Sequence, residues 1–404
     1  MRMFVARQPI FDRQKKVFAY ELLFRSGFLN FFTERDFDHA SSKVIADSAL
    51  QFGLSTLTGS RRAFINVSRD VLLRDLASVL PPEEVVIELL ETIDIDQDVL
   101  AACRQLKRAH YWLALDDFVD RPEMAPLVEL ADILKIDFRA TPPDQRRALA
   151  RKYGSGRLSL LAEKVETIEE LGQGSDLGYR YFQGYFFSKP VIVTGKAIPS
   201  IKINYLRLLR EINRSDVDFA ELERIIKQDV SIVYQLLRYI NSAAFGLRRE
   251  IKSILDALVL LGEYEIRKLA SLWALARLGE DKPPELVVTS IVRGRYCESL
   301  AAPAGMHAQK LDLFLMGMFS LIDVITDRTM QEALQHVYIS DEARMALLGD
   351  SNRHRRVLDT ILAYEKGEWR SVGEHAAALG IEEDLIAAEY LSAIEWSNQA
   401  YPGN

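Results

Sequence analysis

Between residues 4 and 190, short apolar runs alternate with longer amphipathic ones. Runs at 17–23, 63–67, 85–89, 111–115, 133–136, 158–162 and 181–182 have the length and apolar character of buried strands. Between them, 43–52, 96–109, 142–153 and 167–171 space their apolar residues at the helical period. Alternation of this kind predicts a parallel sheet with crossover helices, and this many repeats predicts an α/β barrel of the TIM type. In such barrels the chemistry collects at the C-terminal ends of the strands.

The stretch VIVTGKAIPS (191–200) ends that pattern. Beyond it the helical period takes over at 201–213, 219–228, 232–242, 254–261, 264–278, 287–301, 311–325 and 384–397. Pro283-Pro284 and the turn at 303–305 interrupt these helices. The chain therefore reads as a barrel domain over 1–195 and an all-α domain over 196–404. Tyr234, Leu237, Ile240, Leu258 and Leu261 fall at helical spacing and read as a core stripe. Gly246 reads as a helix end and Arg248-Arg249-Glu250 as a solvated loop.

Composition narrows the classes. Hydrophobic residues make up 49% and charged residues 27%, enough for each half to bury a core. A formal net charge of -7 offers no general attraction for nucleic acid or anionic membrane. The two cysteines, Cys103 and Cys297, are far apart, which argues against a disulfide framework or a structural zinc site. Cys297 reads as a small core residue. No signal-like or membrane-spanning apolar run is present, so a cytoplasmic protein is expected.

The informative residues are polar and stand at strand ends. Glu21 lies in YELLFR, Asn66 follows 63–65, Glu88 follows 85–87, and Asp116-Asp117 follow 112–115. Lys135 and Asp137 flank Ile136, and Glu163 follows 158–162. One acid at a strand end is ordinarily a helix cap. Six consecutive strand ends carrying an acid, amide or lysine point to a site. Carboxylates converging on one mouth repel unless cations lie between them. Oxygen-only donors suit hard cations such as Mg²⁺ or Mn²⁺, and a pair of such ions serves phosphodiester hydrolysis.

The ordered segments ARQPIFDRQ, YELLFR, FINVS, VIELLET, LALDDF, LKIDF, AEKVET and YFQGYFFSKP resemble the EAL domain over about residues 3–190. The resemblance implies a cyclic di-GMP phosphodiesterase yielding pGpG on a two-metal Mg²⁺ or Mn²⁺ site. It implies Glu21, Asn66, Glu88, Asp116 and Asp117 as metal ligands. It implies Lys135 as the lysine positioning the attacking water, Glu163 as general base and Glu166 as a further acid. Gln183 would line the site, Arg25 would grip a phosphate, and Gln8 lies in the segment that contacts a guanine. Glu91 would be a loop-supporting residue.

Several positions depart from the family. The glycine- and serine-rich loop expected after Phe118 reads VDRPEMAPL, with Val119 and Pro122 stiffening it. Leu90 replaces a threonine, and Lys164 replaces a glycine beside Glu163. An ammonium there is expected to lower the Glu163 pKa and to compete with a metal. In the second half, DVSIVYQLLRYINSAAFGLRREIKSI and DALVLLGEYEIRKLA resemble the HDOD domain, and LFLMGMFSLID and AYEKGEW resemble the tail accompanying it. A metal-dependent His-Asp site is not expected, since His307, His336, His354 and His375 are not followed by aspartate. Two functions stay open: a phosphodiesterase with an HDOD regulatory or output half, or a catalytically inactive nucleotide sensor or protein adaptor. The expected partners are cyclic di-GMP and a protein bound through the HDOD half, with a homodimer also compatible.

Overall fold

The computed structural model describes residues 4–25, 54–188, 200–214, 219–227, 229–241 and 251–401. The helix expected at 43–52, Gly246 and the 248–250 run lie outside these residues. The chain divides into two compact units. One holds Met1–Lys189 with Thr360–Ala378 and Glu382–Asn404; the other holds Pro190–Asp359 with Leu379–Ile381.

The first unit is a closed barrel of strands β1 (Phe4–Asp12), β2 (Val17–Arg25), β3 (Arg62–Val67), β4 (Val85–Leu89), β5 (Trp112–Leu115), β6 (Ile133–Asp137), β7 (Ser159–Glu163) and β8 (Tyr181–Gln183), in that order around the ring. All neighbours pair in parallel except β1, which is antiparallel to both β2 and β8. Every expected strand is present within a residue or two at its ends. β1 was not expected. Its sequence, FVARQPIFD, puts Arg7, Gln8 and Pro9 in the middle of the run and so hides the strand signal.

Helices α1 (Leu54–Thr58), α2 (Arg69–Leu73), α3 (Gln97–Arg108), α4 (Ala125–Val128), α5 (Pro143–Tyr153) and α6 (Ile168–Leu177) connect the strands. Local chemistry starts them: Asp96 accepts from Val99 N at α3, and Thr167 from Glu170 N at α6. The apolar layer inside the barrel takes one residue from each strand: Ile10, Ala19, Phe64, Val86, Ala114, Ile133, Leu161 and Tyr181.

The second unit is helical, with α7 (Ser200–Ile212), α8 (Phe219–Ile226), α9 (Val230–Ile240), α10 (Ile254–Leu278), α11 (Pro284–Leu300), α12 (Lys310–Phe319), α13 (Ile322–Thr326), α14 (Met330–Ala333) and α15 (Asp341–Leu348). Gly262, at φ 75°, breaks α10 where two helices were expected. α11 and α12 approach through Gly294 and Gly317; a Cβ on Gly317 would stand 2.4 Å from the Arg293 carbonyl oxygen. The core stripe needs correction. Ile240 and Leu258 are buried, but Tyr234 is 62% exposed, and α9 turns Ile232, Leu236 and Ile240 inward instead. Cys297 is fully buried, as expected.

The remaining helices are α16 (Arg353–Lys366), α17 (Trp369–Leu379) and α18 (Glu383–Ala400). A boundary at 196 would give all of 196–404 to the helical domain. From Thr360 onward, apart from 379–381, the chain instead belongs to the barrel unit. The cause is aromatic packing. Tyr364 is fully buried, donates its hydroxyl to the Val5 carbonyl (3.1 Å), and packs edge-on against Trp369 and tilted against Tyr390, while Trp369 meets Phe4. Among the described residues no helix is long and apolar enough to cross a membrane.

Candidate functional site

Side chains of a strand alternate between faces, so the inward position nearest the apolar layer lies two residues further along. Moving two residues towards the mouth from each member of that layer gives Gln8, Glu21, Asn66, Glu88, Asp116, Lys135, Glu163 and Gln183. β1 runs the other way, so its member precedes Ile10 instead of following it. Register holds the ring together: Gln8 pairs with Glu21, and Asn66 with Glu88. Asp116 lies one residue past β5 and stays in the ladder by donating its N–H to the Leu89 carbonyl (3.0 Å). All eight ring residues were singled out in the sequence.

Lys135 is the hub, 1% exposed. Its ammonium donates to Glu88 Oε1, lies 2.8 Å from Asp116 Oδ1 and 2.9 Å from Glu163 Oε1, and stands 3.7 Å from Glu21 Oε2. Gln183 Nε2 donates to Glu21 Oε2 (2.6 Å) and to Gln8 Oε1 (3.1 Å), and Asn66 Nδ2 donates to Glu21 Oε1 (3.2 Å). One ammonium faces four carboxylates, and the charge imbalance shows in their titration. Burial works against the Lys135 ammonium, but the surrounding carboxylates hold its pKa well above the usual value. Burial pushes Glu88 well up and Glu163 up to about 8. Asp116 is also raised by burial, but Lys135 outweighs that and holds it below its ordinary value.

Four expected site residues stand outside the ring. Asp117, at φ 38°, has the opposite parity, and burial and Asp116 raise its pKa. Glu91 is exposed beyond β4, close enough for its charge to raise Asp117. Glu166 is at the rim, paired with Arg139 Nη2 at 2.5 Å. Arg25 is at the end of β2, and partial burial lowers its pKa. Lys164 turns its ammonium to Asp137 Oδ2 (2.5 Å) and stands 3.9 Å from Asp117; its charge also acts on Glu163, whose pKa burial nonetheless raises. Asp137, noted in the sequence only as a strand-end acid, anchors this rim. Besides Lys164 it accepts from the N–H groups of Arg139 (2.6 Å) and Ala140 (3.0 Å). The loop after Phe118 is pinned by Asp120, which accepts from Lys152 Nζ (2.7 Å) and Tyr153 Oη (2.8 Å).

Among the described residues, no three histidine, cysteine or carboxylate groups stand ready around one metal position. The donor set nonetheless fits a hard cation. Asn66 Oδ1, Glu88 Oε2, Glu163 Oε2 and Gln183 Oε1 are buried oxygens with no hydrogen-bond partner. A divalent cation would also supply positive charge to a cluster in which one ammonium faces four carboxylates.

A family model described as EAL domain matches residues 33–190, and one described as HDOD domain matches 198–358. The Bacillus subtilis protein YuxH is 37% identical, covering 98% of this chain and 98% of its own length. CdgJ of Vibrio cholerae, named a cyclic di-GMP phosphodiesterase, is 34% identical, covering 98% of this chain and 92% of its own. The Klebsiella pneumoniae protein BlrP1, solved with calcium and cy-diGMP, is 27% identical over 47% of this chain and 56% of that one, with a TM-score of 0.38.

Proposed function

The chain belongs to the EAL–HDOD family, an EAL domain followed by an HDOD domain, and on that premise we propose that it is a cyclic di-GMP signalling protein whose barrel hydrolyses the nucleotide to pGpG. The observation that carries the reading is the complete polar ring: seven inward residues around an eighth, the buried Lys135. Full-length similarity to CdgJ supports it.

Each ring member has work suited to its chemistry. Glu21, Asn66, Glu88 and Asp116, with Asp117 beside them, would hold divalent cations, Mg²⁺ or Mn²⁺, whose role is to polarise the phosphodiester and lower the pKa of water. Lys135 orients and partly neutralises the carboxylates. Glu163, with its raised pKa, is suited to take a proton near neutrality. Gln183 fixes Glu21 and Gln8, and Arg25 would grip a phosphate. The HDOD unit carries regulation or output.

A second reading, nucleotide binding without turnover, is favoured by one observation: the Lys164 ammonium beside Asp117. One experiment separates the two. Purified protein is incubated with cyclic di-GMP and Mn²⁺ or Mg²⁺, and products are followed by chromatography. Formation of pGpG, abolished by Glu163→Gln, is expected. Binding without pGpG selects the sensor, and no binding at millimolar nucleotide removes both.

A further inference from the structure

The AYEKGEW segment lies far along the chain from the barrel sequence, yet it packs against the ring. Gln8, the β1 member of the ring, donates Nε2 towards the Glu365 carbonyl at 3.5 Å, while its Oε1 accepts from Gln183. Gln183 in turn holds Glu21, which Asn66 also holds. A chain of hydrogen bonds therefore runs from the carboxylate cluster to the backbone in the last turn of α16. The segment is fixed independently. Tyr364 bonds the Val5 carbonyl, Trp369 packs on Phe4, and Gly367, at φ 70°, presses on β2, where an added Cβ would stand 3.1 Å from Leu23 Cδ1. Lys366 places its ammonium 6.0 Å above the ring of Tyr185, just after β8.

We propose that residues 364–369 form one wall of the nucleotide site and act on it through Gln8. The proposal rests on the cyclic di-GMP reading above. A primary amide that can rotate presents donor and acceptor in either order. One clamped on its oxygen by Gln183 and aimed at a carbonyl presents a fixed pattern, which a purine edge or a phosphate can match. At 3.5 Å the contact to Glu365 is at the outer limit of hydrogen bonding, so the Nε2 protons are only lightly engaged and remain available to a ligand. Gln8 is then a binding residue, and Gly367 and Tyr364 are positioning residues. Since α16 begins at Arg353, in the other unit, this wall is also the covalent route by which the helical unit can reach the site.

The test is a double-mutant cycle in the full-length chain, with cyclic di-GMP affinity read by calorimetry in a Glu163→Gln background that does not consume the ligand. Gly367→Ala, which strains the left-handed backbone and pushes on Leu23, should weaken binding about tenfold, as should Gln8→Ala. Gly367→Ala combined with Gln8→Ala should be no weaker than Gln8→Ala, because both remove the same contact. If Gly367→Ala does not fold, Tyr364→Phe replaces it in the same cycle, removing only the hydroxyl that ties the segment to Val5. Unchanged affinity on displacing the segment, or multiplicative losses in the double variant, overturns the proposal. Failure of the wild-type and Glu163→Gln proteins to bind cyclic di-GMP overturns the functional reading instead.

Discussion

Lys135 Nζ lies 2.8 Å from Asp116 Oδ1, deep in a barrel whose other inward groups at that level are acids and amides. The pair is not an isolated salt bridge. The same ammonium touches Glu88 and Glu163, so one positive charge is shared among groups that repel one another.

Replacing that charge should therefore cost stability first and activity second. Lys135→Met keeps the length and removes the charge. Leaving the carboxylates uncompensated should cost about 3–5 kcal/mol in metal-free buffer. Mn²⁺ should restore much of this loss by supplying the missing charge. Thermal melts with EDTA and with Mn²⁺ check it. A variant as stable as wild type in EDTA would mean that the carboxylates are already neutralised by protons.

The ring was legible because β-strand alternation is strict. Once 63–67, 85–89, 133–136 and 158–162 read as strands, Asn66, Glu88, Lys135 and Glu163 share the face of Phe64, Val86, Ile133 and Leu161. What was hidden had non-local causes. β1 carries Gln8 because its inner face is the site, and Arg7, on the opposite face, donates to the Leu57 carbonyl, so the strand loses its apolar signature. Tyr364 and Trp369 stand on two successive helices, and their partners Val5 and Phe4 lie at the other end of the chain, beyond any local pattern. The ion pair of Lys164 with Asp137 joins the ends of neighbouring strands β6 and β7, a pairing that only the sheet register brings about.

The barrel unit should depend on the C-terminal helices. A chain ending at Asp359 loses Tyr364, Trp369, Ile386, Tyr390 and Ile394 from its core, each buried group being worth roughly 1.5–3 kcal/mol. That loss is comparable to the stability of a domain. Expression of residues 1–359 should give an aggregating or protease-sensitive barrel, and co-expressed 360–404 should partly rescue it. Equal protease resistance of the two chains would show that these helices are dispensable.

The second unit should carry a pH dependence of its own. His354 is 6% exposed, and its Nε2 is without a hydrogen-bond partner. Burial lowers its pKa, although the Asp312 and Glu342 carboxylates pull it up. The unfolded chain then binds the extra proton more readily than the native one. The His354 contribution is complete above the unfolded pKa of about 6.5 and is lost as pH falls towards the folded value. Asp312, whose pKa burial raises, titrates with the opposite sign, starting from a lower unfolded value. Melting temperature should therefore fall between about pH 7.5 and 5.5, and His354→Gln should flatten that slope. An unchanged slope in the variant would place the titrating group elsewhere.

Lys164→Gly tests the rim that departs from the family. Lys164 holds φ 54°, a conformation that costs a side chain about 1 kcal/mol and glycine almost nothing. Its ion pair with Asp137 is half exposed and contributes little, about 0–1 kcal/mol, and Asp137 keeps its bonds from Arg139 N and Ala140 N. The substitution should thus leave stability nearly unchanged. Its electrostatic effect falls on Asp117, which loses an ammonium 3.9 Å away. A carboxylate relieved of that neighbour is a better cation ligand, so apparent Mn²⁺ affinity should improve by about two- to tenfold. Turnover to pGpG should rise with it, while cyclic di-GMP affinity stays level, because Gln8 and Arg25 are untouched. Calorimetry with Mn²⁺ and single-turnover assays read the two effects separately. Weaker Mn²⁺ binding in Lys164→Gly would mean that the lysine orders Asp137 and Asp117 for the cation instead of competing with it.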